Sequence, residues 1–335
     1  MTNTNQQKNI PPIVPITIGL GIIFGMWQLR GVWQSSPLTP QSFNSEVSPE
    51  LISSVTNVPT GTFRYGGSTT WATGRKEVDG AIRFSFPKFK LEYVNPDSGN
   101  PSTSKGIEML LEGKLDFVQS SKGIPADLQQ QATQKGIKLT EIPIANDMLA
   151  VAVHPSLKIP GLTVNQLQGI GSGRFTNWQE VGGVDLPIHV YGSSGEELSG
   201  AAFTKIVNST DAFRKVASDL GGIHFGSSGT LTVAQCGVQT LPIGMSLDRL
   251  VMPYQLPTVA PADCSTQRHN QINPDLLKNG YPLLRKLSVV IVADGGVRQQ
   301  AGEAYAKMLL TTQGQNLMRQ AGYLSLKWWL WVLPN

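Results

Sequence analysis

Three short polar loops carry most of the side chains that could do chemistry: Gly66-Gly67-Ser68-Thr69-Thr70, Ser98-Gly99-Asn100-Pro101-Ser102-Thr103-Ser104 and Gly192-Ser193-Ser194-Gly195. Each offers hydroxyl donors, backbone N–H groups and the start of a helix, a combination that holds an oxyanion without a formal cation. One such loop is ordinarily a cap and a tight turn. Three in one chain point to an anion. Covalent chemistry has less behind it. Gly192-Ser193-Ser194-Gly195 is not G-x-S-x-G, and the one histidine close to it in sequence, His189, reads as a strand residue. His154, His189, His224 and His269 lack ligand spacing, and Cys236 and Cys264 lack the C-x-x-C of a redox or zinc site. The expectation is a binding protein, not an enzyme, with no metal and no cofactor.

Such loops must be held at strand-to-helix junctions, and the flanking pattern supplies these. Phe63-Arg64-Tyr65 reads as a strand running into the first loop, and Lys90 to Val94 as a second strand. Helical spacing over Gly106–Gly113 precedes a strand at Leu115–Gln119, which makes a βαβ unit with its polar turns at one sheet edge. A helix opened by Pro125 ends near Gly136. Ile142, then Met148–Val153, form an apolar strand buried on both faces. Thr163–Leu167 reads as a short capped helix, His189–Tyr191 as a strand, Glu196–Val207 as a helix and Leu287–Ala293 as a strand. Helices over Val297–Leu310 and Gly314–Gln320 close the fold, with Gly322 as the cap of the second. The fold class is α/β, built in two lobes.

The 335 residues suffice for two lobes. With 40% apolar and 15% charged residues, a formal charge of +4 and no Lys/Arg run, the composition is globular and lacks the footprint of a nucleic-acid binder. No charged residue occurs from Asn9 to Leu29. About 20 apolar residues cross a ~30 Å hydrocarbon core, so residues 10–29 are expected to be a transmembrane anchor behind a cytoplasmic stretch 1–9. A cleaved signal is the alternative, but neither an A-x-A pattern nor a lipobox cysteine follows. Residues 30–57 read as a tether, 58–146 with 290–326 as lobe 1, 147–289 as lobe 2, and 327–335 as a Trp-rich tail that rests on the bilayer or on the protein's own surface. An even cysteine count in an exported portion favours a Cys236–Cys264 disulfide, against two buried thiols.

Gly66-Gly67-Ser68-Thr69-Thr70, Ser104-Lys105-Gly106-Ile107-Glu108, Asp116-Phe117-Val118-Gln119-Ser120-Ser121, Gly173-Arg174-Phe175-Thr176-Asn177-Trp178 and Tyr281-Pro282-Leu283-Leu284-Arg285-Lys286-Leu287 occur in this order. With Gly314-Gln315 and Ala321-Gly322-Tyr323, they resemble the PstS/SphX-type phosphate-binding proteins from about Thr60 to Leu326. The likeness is greatest to cyanobacterial members, which carry a Gln-Cys pair like Gln235-Cys236. The resemblance implies a type II periplasmic-binding fold, inorganic phosphate in the cleft, an ABC permease as partner, a monomer, and a periplasmic location at the inner membrane. It implies ligand contacts from Thr69, Thr70, Thr103, Ser104, Ser120 and Ser121, to which the third loop adds Ser193 and Ser194. Two positions depart from the family. Its usual pocket arginine has no counterpart between Val184 and Phe213, and its aspartate after the Asp-Phe strand falls on Ser121. Arg174 and Arg285 either face the cleft or serve the surface or the inter-lobe junction. A degenerate oxyanion sensor or scaffold, or less readily a phosphatase-like enzyme, are the other functions this fold would accommodate.

Overall fold

The computed structural model describes residues 51–193, 203–206, 209–230, 236–259 and 270–326. The chain enters through a 3-10 turn, Ile52–Ser54, and then alternates: β1 (Gly61–Gly67), α1 (Ala72–Ser85), β2 (Phe89–Tyr93), α2 (Thr103–Leu111), β3 (Phe117–Ser120), α3 (Ala126–Gln134) and β4 (Leu139–Val153). Next come β5 (Leu162–Thr163), α4 (Val164–Gly171), β6 (His189–Ser193), β7 (Phe203–Ile206), α5 (Ser209–Ser218) and β8 (Gly222–Ser227). Short β9 (Gln239–Thr240), β10 (Ile243–Gly244) and β11 (Leu250–Val251) lead to β12 (Leu284–Val292), α6 (Val297–Leu310), α7 (Thr312–Gln320) and β13 (Leu324–Ser325).

One sheet runs through both halves in the order β2-β1-β3-β12-β4-β8-β6-β7. β1 is parallel to β2 and β3, and β6 is parallel to β7 and β8. The joint between these parallel sets is β4, whose 15 residues span ~50 Å. It pairs with β12 over Leu139–Met148 and with β8 over Leu149–Val153, antiparallel to both. Successive residues of the central strands go to opposite faces, as a two-residue period requires. Phe117, Val289 and Ile291 join a core under α1, α6 and α7 with Trp71, Ile82, Tyr305 and Tyr323. Val118, Val290 and Val292 join a second core under α2 and α3 with Ile107, Leu110 and Leu128.

Most expected elements form, within a few residues. α2 starts at Thr103, ahead of the expected Gly106, because Ser102 caps it and accepts from Lys105 N at 3.2 Å. The helix expected over 196–207 does not form as drawn: Phe203–Ile206 is β7, paired in register with Val190–Ser193. Phe203 and Ile206 suit either element, and a parallel edge partner settles it as strand. The sequence reading has no counterpart to α5 or β8. Gly322 has φ +89 just after α7, as a terminating glycine requires. Among the described residues no helix is long and apolar enough to cross a membrane. Residues 10–29, the tail 327–335 and Cys264 lie outside the described residues.

Candidate anion-binding site

β1 and β3 finish side by side, with Gly67 opposite Gln119. Gly67 holds φ +123, and a Cβ there would stand 2.3 Å from the Gln119 carbonyl oxygen, so only glycine turns the chain this closely. Ser68 N then donates to Gln119 O at 2.8 Å. The Ser68 hydroxyl caps the 3-10 turn Thr69–Trp71 by accepting from Thr70 N at 3.3 Å, and lies 2.7 Å from Ser121 Oγ. Ser121 N in turn donates to Thr103 Oγ1, on the first residue of α2, at 3.1 Å. Gly106 permits that approach: a Cβ there would fall 2.8 Å from both Gly67 Cα and Val118 Cγ1. The ends of β1 and β3 and the start of α2 thus meet around Ser68, Thr103 and Ser121. All three are nearly buried, and two helical N-termini begin beside them.

Of the residues singled out from sequence, Thr103 and Ser121 sit in this cluster, and Thr69 is exposed at its rim. Thr70 is half-buried, and its carbonyl accepts from Tyr323 Oη at 2.5 Å. Ser104 is half-buried in the first turn of α2. Ser120 turns inward. Its hydroxyl donates to Lys122 O and lies 3.5 Å from Thr103 Oγ1, and its carbonyl accepts from Trp71 Nε1 at 2.8 Å. It therefore ties the loops together from beside Thr103, within the same cluster. The backbone of Ser193 pairs in register with Ile206. Ser194, with Glu196 and Glu197, lies outside the described residues.

The sequence reading passes over a second cluster. Asp147, fully buried on β4, accepts Ser227 Oγ (2.7 Å), Ser228 N (3.2 Å) and Ser228 Oγ (3.0 Å) on Oδ1. Its Oδ2 accepts Arg285 Nε at 2.7 Å from the facing position of β12. Arg285 is thus an inter-strand residue at the joint of the two halves, one of the roles left open from sequence. A lone acid inside the apolar run Ile144–Val153 was the available signal, since a buried carboxylate needs partners. Tyr323 connects the two clusters. It is fully buried, donates to Thr70 O, and its ring blocks any Cβ at Gly229, beside Ser228. Burial, and after it the Asp147 carboxylate, raise its phenol pKa, which keeps the donated proton in place.

A family profile described as "PBP superfamily domain" matches residues 54–312. The chain belongs to that superfamily. Within it the chain is similar to proteins of the PstS/SphX type: Protein SphX of Synechococcus elongatus is 22% identical over 269 residues, 74% of each chain. Phosphate-binding protein PstS of Staphylococcus saprophyticus is 33% identical over 89 residues, 26% of this chain and 28% of that protein. An ABC-type phosphate transport receptor from Vibrio cholerae superposes with TM-score 0.58 at 18% identity, covering 79% of this chain and 100% of that one. A putative phosphate ABC transporter substrate-binding protein from Clostridium perfringens, solved with bound phosphate, gives the same four values. The shared architecture is the two-domain α/β fold of periplasmic-binding proteins.

Proposed function

We propose that this chain captures inorganic phosphate outside the cytoplasm and presents it to an ABC permease, without chemistry on the ligand. The observation that carries this is the convergence of Ser68, Thr103 and Ser121 with two helical N-termini at the ends of two parallel strands. That is where open parallel sheets take ligands, and hydroxyls with N-terminal N–H groups suit a hydrogen-bonded oxyanion. The relatives named for phosphate support the same ligand. In this reading Thr69, Thr70, Thr103, Ser104, Ser120 and Ser121 line the anion site from lobe 1 (58–146 with 290–326), and Ser193 and Ser194 from lobe 2 (147–289). Residues 10–29 anchor the chain in the inner membrane, the globule is a periplasmic monomer, and Cys236 pairs with Cys264. The last is supported by Cys236 being bonded, with no free cysteine among the described residues.

Calorimetric titration of phosphate and sulfate into residues 41–335 tests the ligand. Thr69→Ala is expected to weaken phosphate about tenfold, the worth of one hydrogen bond to a charged group. An unchanged affinity would move the site elsewhere, and no binding of either anion by the unmodified chain would leave only a scaffold.

A further inference from the structure

Among the described residues of the first half, three large hydrophobic side chains are exposed: Leu51 (54%), Phe84 (89%) and Val297 (54%). All three lie at one end. Leu51 precedes the entry turn, which packs on α1 and α6. Phe84 is in the last turn of α1, just ahead of Lys88, whose carbonyl accepts from Gly61 N at 2.9 Å where β1 begins. Val297 starts α6 just past β12, whose last residue, Val292, faces the first residue of β4. This is the end at which β1, β2 and β4 start. The anion loops lie at the other, ~20 Å away along β1.

The same end is basic. Arg83, Lys88, Lys135 and Lys138 are exposed there, and none forms an ion pair with a described residue. Of the nearby acids, Asp294 is paired with Arg298 at 3.2 Å, Glu141 is half-buried on β4, and Asp79, one turn before Arg83 on α1, is half-buried and feels the Arg83 charge without forming an ion pair with it. Any one of these features is ordinary: Arg83 complements the dipole of α1, and single exposed apolar residues are common. Their coincidence with the point of chain entry is the informative part. The 50 residues ahead of Leu51 include the uncharged stretch from Asn9 to Leu29. Were the 21 residues from 30 to 50, the part of the expected tether ahead of Leu51, to behave as a random coil, their mean reach would be only ~25 Å.

We propose that this end of the globule is a membrane-contact surface: Phe84, with Leu51 and Val297, enters the interface of a bilayer, and Arg83, Lys88, Lys135 and Lys138 engage anionic phospholipid headgroups. Each basic side chain near such a surface adds roughly fivefold to partitioning, an effect lost within about 10 Å or in high salt. Contact at this end leaves the anion loops facing away from the lipid. The tether argument rests on the anchor proposed above, whereas the composition of the surface does not.

The test is hydrogen exchange on the full chain in nanodiscs of phosphatidylcholine alone and of phosphatidylcholine with 30% phosphatidylglycerol (about one lipid in three). Peptides covering 80–90 and 135–140 are expected to exchange at least ~3-fold more slowly in the anionic discs, reverting in 0.5 M salt (about a 4 Å screening length). Arg83→Glu with Lys88→Glu should abolish the difference, Phe84→Ser should reduce it, and both should leave phosphate titration unchanged. Equal protection in both discs, protection that grows with protein concentration and ignores lipid, or no protection overturns the proposal. A chain that fails to enter discs refutes the anchor alone. The same peptides are then followed on the full chain mixed with anionic vesicles, where unchanged exchange overturns the surface as well.

Discussion

Asp147 brings four donors to one buried carboxylate, one on the last residue of β8, two on Ser228 just after it and the fourth on β12. The arrangement joins three strands at a point where the backbone ladder changes partners. Arg285 keeps 20% of its side chain exposed, so the pair is buried on one side only. Removing the charge would take the paired carboxylate from the Arg285 guanidinium and a strong acceptor from both serine hydroxyls. Asp147→Asn is accordingly expected to cost about 3 kcal/mol in urea unfolding, at the low end for a broken buried pair. A double-mutant cycle with Arg285→Met should show strong coupling. A loss under about 1 kcal/mol would mean the turn after β8 is held by its other contacts.

At the scale of elements, the cradle was legible and its supports were not. The first two loops stand out in sequence because Gly, Ser and Thr cluster between periodic segments, and Thr103 and Ser121 do meet there. Ser120 and Ser121 are alike in type but differ in partners: the Ser120 hydroxyl donates to Lys122 O and lies beside Thr103, while that of Ser121 meets Ser68. Tyr323 is 253 residues from the carbonyl it holds, a separation local pattern does not reach. The misread stretch 203–206 failed for the related reason that a parallel partner outweighs local periodicity. Gly106 is the most exposed to test. Gly106→Ala gains up to ~1 kcal/mol of helix propensity but forces α2 away from Gly67, so a net loss of about 1–2 kcal/mol is expected with weakened phosphate binding. Equal stability and affinity in the variant would show that the close approach is dispensable.

A second element-level case sits where β6 and β8 begin. Asp219 Oδ2 accepts from Tyr191 Oη at 2.6 Å and lies 2.7 Å from His189 Nδ1, while Oδ1 accepts from Gly221 N at 3.1 Å. Partial burial would raise its pKa, but the bonds from Tyr191, His189 and Gly221 outweigh it and hold the carboxyl below its ordinary value. The Tyr191 phenol is pushed up to about 12, first by burial and then by that carboxylate. A depressed carboxyl pKa stabilises the fold fully above about pH 4, and that stabilisation is lost as pH falls through the lowered value. Urea midpoints of the wild type should therefore fall more steeply below pH 4 than those of Asp219→Asn. Parallel curves would remove this group from the acid response.

For the whole molecule, the continuous sheet decides what can move. β4 and β12 are the strands that carry the ladder from one parallel set to the other, and β12 shifts register between Leu287 and Ser288, close to the joint. A bulge bends a strand and locally interrupts its ladder, so rotation of one half against the other is concentrated there. Tyr323 lies across the same joint, bonded to Thr70 and packed against Gly229, so an anion bound as proposed at the Thr69–Thr70 turn would act directly on the contact between the halves. If the halves close on phosphate, small-angle scattering of residues 41–335, the span that clusters as one compact unit, should show the radius of gyration fall by a few per cent. The starting value for a chain of this size is ~20 Å. Tyr323→Phe keeps the ring against Gly229 but loses the bond to Thr70, so phosphate should still bind, more weakly, with a smaller contraction at saturation. A variant that contracts as far as the wild type would show that closure is driven by ligand contacts alone, and a wild type that binds phosphate without contracting would mean the crossing strands do not act as a hinge.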